Sequence, residues 1–217
     1  MSKMLEEIRE QPAALEKTLA AEWAGIERLR AHFAAHRPRL ITLAARGTSD
    51  NAAQFGRYLI EITTGIPVAL AAPSVSTLYH APLALEGSLA VAISQSGEST
   101  DTNVVLEEAK AQGAFTLGIT NEAKSTLARL AHETILVRAG REKSVAATNT
   151  YTGQLLSFYL LAYALGAPVR RSDLERLPGH AAAALKLEQE IIARAERYRF
   201  MTQAAEGGGG GDYTRVF

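Results

Sequence analysis

No cysteine occurs in the 217 residues, which excludes disulfides, thiolate metal sites and a cysteine nucleophile together and fits a reducing compartment. An excess of either charge is also lacking. The 23 Lys and Arg balance 23 Asp and Glu, so no basic field exists for a nucleic acid or an anionic membrane, and any anion site has to be local. No stretch approaches the roughly 18 consecutive apolar residues of a membrane span, and the opening MSKMLEEIREQPAAL is charged, without the apolar region of a secretory signal. The expectation is a cytoplasmic protein with neither membrane nor nucleic acid among its partners. His32, His36, His132 and His180 lie in or beside helical stretches without metal-ligand spacing, so no metal or cofactor is expected.

What is present is a repeating alternation. Short apolar runs recur at Leu40–Ala45, Val68–Ala72, Leu89–Ile93, Phe115–Ile119 and Thr134–Val137, each bounded by turn residues, the pattern of parallel strands buried on both faces. Helical periodicity separates them at Asn51–Thr64, closed by Gly65 and Pro67, at Thr102–Gln112, closed by Gly113, and at Ser125–Ala131. Repeated βαβ units predict a three-layer α/β/α sandwich. Before this core, Pro12–Ala35 reads as a long amphipathic helix. After it, helices are predicted over Thr152–Leu165 and Ser172–Ala205, the second interrupted near Pro178 and Gly179. The division expected is a helical segment over 1–36, the α/β domain over 37–168, a helical connector over 169–205, and a flexible tail over 206–217 containing five consecutive glycines.

Two strand ends carry the chemistry. The run Leu89–Ile93 empties into Ser94, Gln95, Ser96, Gly97, Glu98, Ser99 and Thr100 just before a helix, and Leu40–Ala45 runs into Arg46, Gly47, Thr48, Ser49 and Asp50 before another. Hydroxyls and backbone N–H groups at a helix N-terminus make an oxyanion site, most naturally for phosphate. Taken singly, each turn is also explained by Ser49, Asp50 and Ser99 acting as ordinary N-caps. Two turns of one chemistry favour the anion site. Neither turn carries G-x-G-x-x-G and no acidic residue ends the second strand, which disfavours a dinucleotide site.

Together ARGTSDNA, SQSGES and EKSVAATNTYTGQLL (Glu142–Leu156) resemble the sugar isomerase (SIS) domain. More narrowly they are similar to the isomerase half of glutamine-fructose-6-phosphate aminotransferase and to the related amino-sugar-6-phosphate deaminases. The resemblance implies a five-stranded parallel sheet in the flavodoxin-like order 2-1-3-4-5, with a ligand crevice at the switch point between the first and third strands. It places phosphate contacts on Ser94, Gln95, Ser96 and Ser99, with Gly47, Thr48 and Ser49 facing the sugar. From the third motif it adds Val145 and Ala147, where Ala147 replaces a serine of the synthases and Asn149 a lysine. The implied ligand is of the fructose 6-phosphate or glucosamine 6-phosphate class. The family packs lobe against lobe, so with the partner lobe absent the apolar face of the Thr152–Leu165 helix is expected to lie uncovered, which favours self-association as a homodimer.

Aldose–ketose isomerisation needs a base to carry a proton between C1 and C2. In the family that base lies in a second lobe, and the polyglycine run stands where that lobe's first strand is expected, which reads as a truncated or frame-shifted end. Within the chain Glu142 and His80 are the candidate bases, each with a plainer reading as a solvated or packing residue. Arg46 is a candidate partner for phosphate. Glutamine hydrolysis, which in the aminotransferases uses a cysteine, is not expected. Two readings stay open: the first lobe of an isomerase, aminotransferase or deaminase, and a catalytically silent or regulatory phosphosugar-binding domain.

Overall fold

The computed structural model describes residues 3–142 and 147–201. Five strands, β1 (Ile41–Ala44), β2 (Val68–Leu70), β3 (Leu89–Ser94), β4 (Phe115–Thr120) and β5 (Glu133–Leu136), form one parallel sheet in the order β2-β1-β3-β4-β5. The expected topology is borne out. Ile41 aligns with Val68 on one side and Leu89 on the other, and all six residues of β3 are buried, as a central strand covered on both faces requires.

The helices are α1 (Lys3–Ala35), α2 (Thr48–Thr64), α3 (Pro73–Thr77), α4 (Thr100–Ala111), α5 (Thr126–Leu130), α6 (Asn149–Ala164), α7 (Arg171–Leu174), α8 (Leu177–Leu185) and α9 (Glu188–Ala195). The odd residues of β3, Leu89, Val91 and Ile93, join α1, α2 and α6 in the larger core cluster. The even residues Ala90 and Ala92 join Leu106 of α4 and Leu127 of α5 in the smaller one. This alternation is the period of a strand, and it sets the helices in two layers. Small residues on the α4–α5 side let helices approach closely: a methyl group at Gly118 would lie 2.2 Å from Leu127 Cδ2.

Three expectations need correction. First, α1 begins at Lys3 rather than Pro12 and carries Pro12 within it; the apolar spacing of Ile8, Leu15 and Leu19 continues through the proline, and packing against α6 and α8 outweighs its local cost. Second, the helical stretch after Ser172 is interrupted near Pro178, as expected, but it breaks twice and not at the proline itself. Pro178 occupies the first turn of α8, where a residue without an N–H is favoured, so the chain breaks before it at Glu175–Arg176 and again at Lys186–Leu187. Residues 202–205 of that predicted helix and the glycine tail lie outside the described residues. Third, an uncovered apolar face expected on the Thr152–Leu165 helix is absent, because α6 packs between α1 and α2 and most of its residues are buried. Exposed apolar side chains lie instead on and after α9, at Ile191, Ile192 and Phe200, and on α2 at Tyr58 and Ile62.

Candidate functional site

The connections from β1 and β3 leave the sheet on opposite faces, to α2 and to α4, so a crevice opens at the C-terminal ends of these strands. A cavity of about 210 Å³ occupies it. Seven of its lining side chains are hydroxyls and two are amides, and Arg46 is the one charged lining residue among those described. The structure brings Thr48 and Ser49 from the first turn together with Ser94, Gln95, Ser96 and Ser99 from the second, and adds Ala147 from the third motif. Gly47 sits at the N-cap of α2 beside them. Val145 lies outside the described residues.

The hydroxyls are oriented by their own loop. Ser94 Oγ accepts from Gly97 N at 3.1 Å and Ser96 Oγ from Glu98 N at 3.2 Å, which leaves each O–H to donate to an incoming anion. Ser99 shares a hydrogen bond with Thr102 at 2.9 Å between their hydroxyl oxygens. Ser99 holds the N-cap position of α4 and Gly47 that of α2, yet neither supplies a side-chain cap. The first-turn N–H groups of both helices are thus left without that partner and face the crevice end of the sheet. Simple N-capping does not account for these residues.

The turn between β3 and α4 is held rigidly. Gly97 has φ +66, and a methyl group there would lie 2.2 Å from Ser125 Oγ. Its carbonyl accepts from Asn103 Nδ2 at 3.1 Å and from Leu127 N at 3.0 Å. The carbonyl of Gln95 accepts from Asn121 N at 3.1 Å. Glu98 turns away from the cavity to accept from Thr126 N and Oγ1 at 2.8 and 2.7 Å, and the Thr126 hydroxyl and N–H hold its carboxyl below the usual carboxylate range.

Neither candidate base lines the cavity. The Glu142 carboxylate is directed at the N-terminus of α6: Oε1 accepts from Thr148 N and Asn149 N, each at 2.7 Å, and Oε2 accepts from the Thr150 hydroxyl and from Gln95 Nε2 at 3.0 Å. The segment delivering it is pinned from behind. Arg138, at φ 53, is bound by buried Glu22 of α1 at 2.8 Å, and Asn121 holds Ala139 N at 2.8 Å and the Gly140 carbonyl at 2.6 Å. His80 is exposed and lies 3.9 Å from Glu108 on α4.

Thr102, Thr150 and Gln154, each 1% exposed, also line the cavity and were not read from the sequence. Gln154 donates to Ser49 Oγ at 2.9 Å and so joins the first turn to α6. Its signal is helical spacing, since Thr150 and Gln154 fall four apart along one face of α6.

With the geometry in view, the SIS domain family model matches residues 36–164. The chain belongs to the SIS domain family. Among related SIS proteins, glutamine–fructose-6-phosphate aminotransferase of Symbiobacterium thermophilum is 39% identical over 210 residues, covering 89% of this chain and 34% of that protein. The enzyme of the same name from Methanothermobacter thermautotrophicus is 40% identical over 188 residues, covering 87% and 31%. The chain thus spans about a third of the length of the curated relatives it matches. Among solved SIS structures, a Silicibacter pomeroyi DSS-3 protein provisionally named a phosphosugar isomerase superposes with a TM-score of 0.86 at 33% identity, covering 92% of this chain and 61% of that one. The C-terminal domain of glucosamine-fructose-6-phosphate aminotransferase from Francisella tularensis gives 0.73 at 27%, covering 93% and 60%. Among the described residues of this SIS chain, no helix is long and apolar enough to cross a membrane.

Proposed function

We propose that this SIS domain binds a hexose 6-phosphate of the fructose or glucosamine series and serves as the phosphosugar-binding lobe of a cytoplasmic amino-sugar isomerase, aminotransferase or deaminase. The observation that carries the reading is the cavity at the switch point, where hydroxyls of two turns converge without competing carboxylates in the lining. Ser94, Gln95, Ser96 and Ser99 take the phosphate, with the N-terminus of α4 behind them. Gly47, Thr48, Ser49 and Ala147 face the sugar. Assembly as a homodimer is supported by the exposed apolar residues of α2 and α9, a kind of surface that isolated chains cover by association.

The second reading, a binding lobe without catalysis of its own, is favoured by one observation. Both Glu142 oxygens are occupied by backbone, hydroxyl and amide donors, and His80 lies off the cavity. The described residues then recognise the sugar phosphate, while the C1 to C2 proton transfer rests with other groups.

Calorimetric titration tests the binding itself. Fructose 6-phosphate and glucosamine 6-phosphate are expected to bind far more tightly than fructose and glucosamine. Ser96→Ala and Thr48→Ala should each weaken phosphosugar binding by about 1 to 3 kcal/mol, the scale of hydrogen bonds to charged groups. Equal affinity for the sugar and its phosphate overturns the reading.

A further inference from the structure

Arg46 precedes the sugar-side turn, yet its Nε lies 3.7 Å from Oδ2 of Asp101, which sits in the first turn of α4 on the phosphate side. The guanidinium therefore spans the mouth of the cavity from one turn to the other. It is the lone charge in a lining of hydroxyls and amides among the described residues. The two side chains are 63% and 44% exposed, and an ion pair so long and so wet is readily given up. A phosphate monoester near neutral pH offers more than one negative charge and three acceptor oxygens, and a planar guanidinium matches two of those oxygens better than it matches a carboxylate at this distance.

Building on the hexose 6-phosphate reading, we infer that Arg46 is the cationic contact that selects a phosphorylated sugar, and that Asp101 competes with the phosphate for it. In the structure Asp101 holds Arg46 across the opening. When the ester enters beside Ser94, Ser96 and Ser99, the guanidinium exchanges the carboxylate for phosphate oxygens. Asp101 then faces the bound dianion as a like charge and lowers its affinity. The hydroxyls orient the phosphate, and Arg46 with Asp101 sets how strongly charge is rewarded.

The two partners should consequently act in opposite directions, which a structural ion pair would not produce. Titration of the full chain with fructose 6-phosphate and with fructose, for the wild type and for Arg46→Gln, Arg46→Lys and Asp101→Asn, reads this directly. Arg46→Gln is expected to weaken fructose 6-phosphate binding about tenfold, Arg46→Lys about threefold because charge survives without the fork, and Asp101→Asn to tighten it about threefold. Fructose binding should stay unchanged in all three, with thermal melts reporting that each variant is folded. Should Arg46→Gln fail to fold, Arg46→Lys carries the same test. Unchanged fructose 6-phosphate binding in the Arg46 variants, or weakened or unchanged binding in Asp101→Asn, overturns this inference alone. Absence of fructose 6-phosphate binding by the wild type overturns the parent reading and this inference with it.

Discussion

Gln95 Nε2 donates to Glu142 Oε2 at 3.0 Å across 47 residues of sequence. Through this bond the turn after β3 is tied to the N-terminus of α6, because the same carboxylate accepts from Thr148 N and Asn149 N. Glu142 therefore acts as a positioning residue that couples the two sides of the cavity.

Replacing it should show both roles. Glu142→Gln keeps size but sets an amide N–H against groups that already donate, so folding stability is expected to fall by about 1.5 to 3 kcal/mol. Fructose 6-phosphate affinity, titrated well below the melting midpoint, should fall as well. A purely structural role would lower the midpoint and leave affinity per folded molecule intact.

Gly97→Ala should disable the turn between β3 and α4. The backbone there is left-handed and the added methyl meets Ser125 Oγ at 2.2 Å, so the turn must move or strain, at a cost of about 1 to 3 kcal/mol. Binding of fructose 6-phosphate should drop by more than about tenfold, since the loop amides and Ser94 shift with Gly97. Adding Ser125→Gly removes the collision and should return part of the affinity, with calorimetry on the single and double variants as the check.

At the opposite, N-terminal end of the strands, His32 stacks on Phe115 at 4.2 Å and His132 stacks on the same ring at 5.2 Å. Burial, then the neighbouring charge of His36 for one ring and Lys110 for the other, lowers both histidines from their ordinary 6.5, with Glu133 opposing the shift at His32. His132 also accepts from Thr116 N at 3.0 Å through Nδ1, a bond that protonation of that nitrogen would remove. Because the folded values lie below the unfolded ones, this stabilisation is fully present above about pH 6.5 and is lost as pH falls from there through the depressed values. Thermal midpoints measured from pH 7.5 down to 5 should decline, and His32→Phe together with His132→Asn should flatten that decline.

Much of the fold is legible because parallel strands buried on both faces leave uninterrupted apolar runs, and β1, β3 and β4 fall within a residue of those runs. Helix starts were harder to read. The segment α6 begins at Asn149 rather than Thr152, since the cap comes from the side chain of Glu142 seven residues upstream, a contact that no local pattern encodes. The hydroxyl turns announce the cavity through residue type alone. Which way Glu142 points, and that Gln154 reaches Ser49 across 105 residues, depend on how α6 packs beside α2.

The place of α1 also bears on how such proteins are assembled over evolutionary time. The stretch that defines the family starts at residue 36, yet Leu15, Leu19, Trp23, Ile26, Leu29 and Phe33 of the preceding helix belong to the main core cluster, and Glu22 fastens the segment that brings Glu142 to α6. A gene fusion joined at the start of the matched stretch would inherit the sheet with α6 uncovered where α1 packs on it and the third motif unmoored. The heritable unit is longer than the recognisable one, so recombination that preserves function has to carry the leading helix along.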